Sequence, residues 1–313
     1  MRAVIVERLG GPEVLKVAER DDPEPLPTEV LVRVHAAGVN PVDFKTRQGK
    51  GMAAVLGDPP FVLGWDVAGT VEAVGRGVTR FAVGDEVFGM PWFPREAGAS
   101  AELVAAPSRQ FARAPAAAGH VHAGALPLAS LTAWQALVDT AGVKEGDRVL
   151  IHAAAGGVGH LASQIAKARG AYVFGTATAE KHDFLLEHGV DVPIDYKSER
   201  FEDVAVGVDV VLDLVGSKEY GLRSLEALGE GGILIPVPSG ADTEVFAEAK
   251  RRGVRATGIL VEPDGHGLEA IAALVDDGKL RVEVQDTFPL EEAARAHEAG
   301  ESGRTRGKLV LVA

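Results

Sequence analysis

The chain has no cysteine among its 313 residues. That excludes a disulfide framework, a thiolate nucleophile, an iron–sulfur cluster and cysteine-ligated zinc. Positive charge is also in short supply, with 32 Lys+Arg against 45 Asp+Glu and a formal charge of −13. There is no dense Lys/Arg run to overcome that balance, so a nucleic-acid partner is not expected. No stretch approaches the ~18 consecutive apolar residues of a membrane helix. The opening run, Met1 to Glu7, turns polar too soon for a signal-peptide core. A soluble cytoplasmic protein without a membrane partner is expected. What is present is ordinary globular material, 46% hydrophobic and 25% charged, long enough for about two domains at ~150 residues each.

The first part reads as β. Val30, Val32 and Val34 alternate with Leu31, Arg33 and His35, the period of a strand with two unlike faces. Gly38, Pro41, Gly49, Gly51, Pro59, Pro60, Gly64, Gly69, Gly75, Gly77, Gly84, Gly89 and Pro91 interrupt almost every short run that follows. Val67 to Val74, Asp85 to Phe88 and Ala101 to Ala105 fit strands between them. Such spacing predicts an irregular, barrel-like β domain. Pro107 to Gly124 has no strong period and reads as a connector, and from Ala125 the composition shifts to Ala and Leu. The one close histidine pair, His120-x-His122, falls in that connector. Too few further ligands stand near it for zinc, so it reads as a solvated loop and no metal is expected.

Strands and helices then alternate. Arg148 to Ile151 is a short apolar strand, and beyond it Val158, Leu161, Ile165 and Ala168 recur at helical spacing up to Gly170. Tyr172 to Gly175 is strand-like, and a helix from about Ala179 to His188 is closed by Gly189. Val208 to Leu212 is a buried strand. Ser217 caps a helix in which Leu225 and Leu228 face inward, Ile233 to Pro236 and Val254 to Val261 supply two more strands, and Leu268, Ile271, Ala272 and Val275 make a helical face. This order predicts a doubly wound α/β domain with a parallel sheet.

The turn after the first of these strands carries the chemistry. Ala154-Ala155-Gly156-Gly157-Val158-Gly159 fits G-x-G-x-x-G with alanine in the first place, and it lies between a strand and an amphipathic helix. Gly156 lets the backbone approach a pyrophosphate, Gly159 lets the helix pack closely, and the helix N-terminus offers free N–H groups. An NAD site places Asp or Glu about 20 residues further on, but here the second strand runs into Thr176 and Thr178, with no acid until Glu180 and with Lys181 in the next turn. Tyr196, after the following strand, adds a hydroxyl. These residues predict NADP(H), the lesser alternative being that Thr178 and Lys181 are only the cap and first turn of a helix. Ligands of such sheets sit at the carboxyl ends of the strands, which brings in Leu214 and Val215, and also Val237, Pro238 and Ser239.

Ala153-Ala-Ala-Gly-Gly-Val-Gly, with Gly38-Val-Asn-Pro-Val-Asp, Gly64-Trp-Asp-Val-Ala-Gly, Val83-Gly-Asp-Glu-Val, Leu128-Ala-Ser-Leu-Thr-Ala-Trp and Arg304-Thr-Arg-Gly-Lys, resembles the medium-chain dehydrogenase/reductase superfamily. Within it the chain is similar to the zinc-free quinone oxidoreductase (zeta-crystallin-like) branch. The resemblance runs over the whole chain in order. It implies a GroES-like catalytic domain, residues 1–123 and 265–313, and a Rossmann domain binding NADP(H), residues 124–264. Zinc alcohol dehydrogenases place a cysteine ligand where this chain has Asn40 and a His-Glu pair where it has Trp65-Asp66, so catalytic zinc is not implied. Asn40, Asp43 and Thr132 are the implied catalytic residues, Thr132 against the nicotinamide. Asn40-Pro41 is equally a turn former, and a residue such as Asp43 is more often structural than catalytic. Arg306 and Lys308 match a stretch that approaches the cofactor, and surface charge is the other reading of each. Val254 to Val261 matches the edge strand through which relatives pair as homodimers.

Without a Lewis acid the acceptor must take hydride unaided, as quinones and α,β-unsaturated carbonyls do. The expected activity is NADPH-dependent reduction of such a small molecule, an enone or alkenal included. No tyrosine lies in the first domain, so no dedicated acid is expected and water supplies the proton. An enoyl-thioester reductase is the second reading, and a non-catalytic NADPH-binding sensor or structural protein the third.

Overall fold

The computed structural model describes residues 1–237 and 242–313. The chain divides into two compact units, Met1–Leu131 with Glu262–Gly278 and Val282–Ala313, and Thr132–Val261 with Lys279–Arg281. Among the described residues no helix is long and apolar enough to cross a membrane.

The first unit is built on a seven-stranded sheet. Its order is Val284–Pro289, Lys308–Val312, Glu29–Val39, Val67–Val74, Glu86–Gly89 and Phe111–Arg113, with Leu103–Pro107 also paired to Glu29–Val39. The pairings are antiparallel except that between Val284–Pro289 and Lys308–Val312. The valine alternation is the reason for the long strand. Val30, Val32 and Val34 are buried in the core with Val67, Val71 and Val87, while Arg33 stands exposed on the other face. The register slips between Val34, opposite Gly69, and Ala36, opposite Ala68, so His35 is the extra residue of a bulge. The stretch read as a connector is more ordered than its lack of period predicts: it holds the strand Phe111–Arg113 and the helix His120–Ala125. That helix is held by close contact with the strand rather than by an amphipathic stripe. A Cβ on Gly124 would meet the Ala36 carbonyl oxygen at 2.8 Å.

The second unit is a six-stranded sheet, parallel throughout, in the order Val192–Asp195, Tyr172–Ala177, Arg148–Ile151, Val208–Asp213, Leu228–Pro236 and Arg255–Ala256. Numbered within the unit this is 3-2-1-4-5-6, the Rossmann order, whose direction reverses between Arg148–Ile151 and Val208–Asp213. The helix Gly159–Ala168 is buried on every side from Gly159 to Ala166, while Ala168, expected to face the core, is exposed. Ser217 caps its helix as expected, accepting a hydrogen bond from Tyr220 N. The strand expected from Val254 to Val261 is shorter. Only Arg255–Ala256 joins the ladder, opposite Ile233 and Leu234, and its partner strand ends two residues further on at Pro236, which leaves little to pair with.

Candidate active site

In the second unit the strand Arg148–Ile151 delivers the chain into the glycine loop. Ala153 takes a left-handed φ of 49° and its carbonyl accepts from Gly156 N at 2.9 Å, which turns the backbone toward the helix. Gly159 is required by contact: a Cβ there would lie 2.5 Å from the Ala153 carbonyl oxygen and 2.6 Å from Ala154 Cα. Ala155 is buried and Gly156, Gly157 and Val158 are half-buried at the start of the helix Gly159–Ala168. A helix cannot satisfy the N–H groups of its own first turn, so this end is suited to an anion.

Thr176 has a different place from the one its sequence position implies. It is 1% exposed, and its hydroxyl oxygen accepts from Ala153 N at 3.2 Å while facing His152 Nδ1 at 3.3 Å. It braces the loop from below rather than offering a hydroxyl to a nucleotide. His152, which sequence reasoning did not single out, is fully buried and reaches Ser224 Oγ at 2.9 Å. Burial first, then the Arg223 charge, lowers its pKa to about 3, so it is a neutral hydrogen-bonding strut.

Ala177 stands opposite Asp195 in the ladder, so Thr178, Lys181 and Tyr196 leave the sheet at the carboxyl ends of adjacent strands. Thr178 and Lys181 are half-buried and Tyr196 is exposed. The nearest acid, Glu180, is exposed and accepts the Thr178 hydroxyl at 3.1 Å. Across the reversal point Asp213 is buried and accepts from Val215 N at 2.8 Å and Gly216 N at 3.0 Å, while its carbonyl holds Val237 N at 2.9 Å. These bonds shape the strand ends carrying Leu214, Val215 and Val237. Pro238 and Ser239 lie outside the described residues. Thr132 is buried in the helix Pro127–Trp134.

In the first unit the strand Glu29–Val39 passes into the helix Pro41–Arg47 at Asn40. Asn40-Pro41 is therefore a helix start, with proline at the first helical position where its missing N–H costs nothing. Asp43 Oδ2 accepts from Asn40 N at 2.6 Å, and Asp43 N donates back to the Asn40 carbonyl at 2.9 Å. The Asn40 side chain is buried and fully engaged. Its Nδ2 donates to Asp66 Oδ2 at 2.8 Å and, at 3.3 Å, to the Gly38 carbonyl, while its Oδ1 accepts from Lys308 Nζ. Gly38 is needed here, since a Cβ would come within 2.4 Å of Asp66 Oδ2.

Lys308 is thus not surface charge. It is 3% exposed, and its ammonium donates to Asn40 Oδ1, to the Val39 carbonyl at 3.1 Å and to Asp66 Oδ2 at 3.4 Å. An ammonium has three hydrogens, and all three are directed at these protein acceptors. Arg306 is exposed and pairs with Glu283 at 3.6 Å. The Asn40–Asp66–Lys308 cluster is what sequence reasoning missed. The lysine lies at the far end of the chain, and only the pairing of Lys308–Val312 with Glu29–Val39 brings it to Asn40.

The same atoms bear on zinc. Asp66 Oδ1 accepts from Leu128 N at 2.6 Å and Oδ2 serves Asn40 and Lys308, while the Trp65 indole donates to the Arg95 carbonyl at 2.6 Å. An amide, an indole and a carboxylate already paired with an ammonium do not make a zinc donor set. Burial pushes the pKa of both carboxyls up, Asp43 to about 7, while the Lys308 charge opposes this at Asp66.

An antiparallel β unit with a buried Asn–Asp–Lys cluster and a 3-2-1-4-5-6 sheet with a glycine turn define a dehydrogenase-type reductase. Residues 26–116 match the family described as alcohol dehydrogenase GroES-like domain, and residues 188–311 that described as zinc-binding dehydrogenase. The chain is 34% identical to human quinone oxidoreductase, covering 100% of this chain and 98% of the relative. The structure of a quinone oxidoreductase from Coxiella burnetii has a TM-score of 0.93 at 40% identity, with 100% of this chain and 99% of that one covered. That of Escherichia coli quinone oxidoreductase complexed with NADPH has a TM-score of 0.87 at 30% identity, with both chains fully covered, at 100% and 100%. The chain belongs to the medium-chain dehydrogenase/reductase superfamily and, within it, to the quinone oxidoreductase branch.

Proposed function

We propose that the chain is an NADPH-dependent, zinc-independent reductase that transfers hydride to a quinone or an α,β-unsaturated carbonyl compound. The observation that carries this reading is the buried Lys308 ammonium on Asn40 and Asp66. It puts a fixed positive charge at the positions where the zinc relatives hold their metal ligands.

NADPH would supply the hydride. The half-buried N–H-rich turn at Gly156, Gly157, Val158 and Gly159 receives its pyrophosphate. Thr178, Lys181 and Tyr196 receive the 2′-phosphate, Leu214, Val215 and Val237 line the nicotinamide side, and Arg306 adds a positive charge. Thr132 is assigned to the nicotinamide ring. Asn40 orients the acceptor: the Nδ2 hydrogen directed at the Gly38 carbonyl, with nitrogen and oxygen 3.3 Å apart, makes the weaker of its two bonds and turns to the acceptor oxygen. Lys308, through Oδ1, polarises that amide as negative charge develops on the oxygen. Conjugation spreads the charge, and water provides the proton. Two copies are proposed to pair at the edge strand Arg255–Ala256, where Leu260 stands 56% exposed.

Titration of both cofactors tests the reading. Lys181→Ala is expected to weaken NADPH about 10- to 100-fold, the worth of a lost charged hydrogen bond, and to leave NADH unchanged. NADPH should be oxidised by quinones and alkenals but not by simple ketones. Equal losses for both cofactors, or ketone reduction as fast as quinone reduction, would contradict it.

A further inference from the structure

Three side chains distant in sequence meet on the seven-stranded sheet. His35 is in the strand Glu29–Val39, Glu86 opens Glu86–Gly89, and His120 opens the helix His120–Ala125. One imidazole nitrogen or carboxylate oxygen from each lies within 4.8 Å of the others, and among the described residues this is the one group of three of its kind. Glu86 joins the two histidines. Its Oε2 faces His120 Nε2 at 3.3 Å, and its Oε1 accepts from the Thr70 hydroxyl at 2.8 Å, which in turn stands 2.8 Å from His35 Nε2. The two imidazoles meet edge to face with centroids 4.4 Å apart.

The backbone is arranged for this meeting. His35 is the additional residue of the bulge between Val34 and Ala36, and a bulge redirects a side chain that a regular strand would place elsewhere. Thr70 and Glu86 are directly opposed in the ladder, so the hydroxyl and carboxylate are fixed neighbours. His122, the partner suggested by sequence proximity, is two residues along a helix and so lies on a different face from His120.

We propose that His35, Glu86 and His120 form a binding site for a divalent transition-metal ion, best suited to zinc, with Thr70 fixing the orientation of His35 and Glu86. Two imidazoles and one carboxylate are a zinc donor set, leaving the fourth position to water. Bond lengths of about 2.0–2.1 Å put tetrahedral ligands roughly 3.4 Å apart, so the group must contract. Glu86 and His120 can do so, being 50% and 43% exposed. The ion would tie the strand that ends beside Asn40 to the helix His120–Ala125, and it takes no part in hydride transfer.

The test is calorimetric titration of the full-length, chelator-stripped and dialysed protein with zinc chloride, repeated on variants. Wild type should bind one equivalent saturably. His120→Ala and Glu86→Gln should each weaken binding by about tenfold or more, and Thr70→Val by about tenfold. His122→Ala, on the same helix, should bind as wild type. Thermal unfolding without metal checks that each variant is folded. No saturable binding by wild type would overturn the proposal, as would equal binding by His120→Ala and Glu86→Gln or loss of binding in His122→Ala.

Discussion

Lys308→Met is expected to destabilise the protein by about 3–5 kcal/mol, the usual cost of removing one partner from a buried ion pair. Among the described residues no other cation pairs with Asp66, which is fully buried and whose second oxygen is already committed to Leu128 N. The remaining carboxylate and the Asn40 Oδ1 would both lose their donor. Adding Asp66→Asn should return most of the loss, since it removes the uncompensated charge, and urea unfolding of the two single variants and the double variant measures the coupling. Losses that simply add would mean that the pair is not energetically joined. The same variants address catalysis. If Lys308 acts through Asn40, Lys308→Met should lower kcat with little change in the NADPH KM, whereas a direct phosphate contact would raise that KM.

The second large effect concerns Asp43. Burial raises its pKa from 3.8 to about 7 in the folded chain. The sign follows from linkage: between about pH 4 and pH 7 the folded state holds a proton that the unfolded state has released, so stability falls as pH rises and levels off above about pH 7. The stabilisation is fully present below the unfolded pKa. At ~1.4 kcal/mol per unit the whole effect is about 4 kcal/mol. Asp43→Asn keeps an oxygen for Asn40 N but cannot ionise, so its stability relative to wild type should rise over that window. Unfolding midpoints at about pH 4.5, 6 and 8 measure this, and parallel profiles for the two proteins would contradict it.

Much of the second unit was legible in the sequence because its signals are local. A strand, a turn that only glycine can make at position 159 and a buried helix are contiguous, and the steric demand of Ala153 and Ala154 on Gly159 is met within a few residues. What was not legible depends on contacts between distant segments. Thr176 looked like a ligand group because its strand ends near the right place, yet the backbone it braces comes from the preceding strand. Lys308 read equally as a cofactor contact or as surface charge, and its burial follows only from the antiparallel pairing that sets it against Asn40 and Asp66. His120 seemed to lack partners, since His35 and Glu86 reach it through the sheet and a bulge rather than along the chain. The strand from Val254 is shorter for a different reason: its apolar character is real, but the strand it pairs with ends at Pro236.

The most direct test of zinc-independent hydride transfer is a single-turnover measurement of NADPH oxidation by a naphthoquinone, using protein stripped with a chelator and assayed in its presence. The rate should equal that of untreated protein, and added zinc should leave it unchanged. Loss of the reaction on stripping, with recovery on adding zinc, would contradict the role given to Asn40, Asp66 and Lys308.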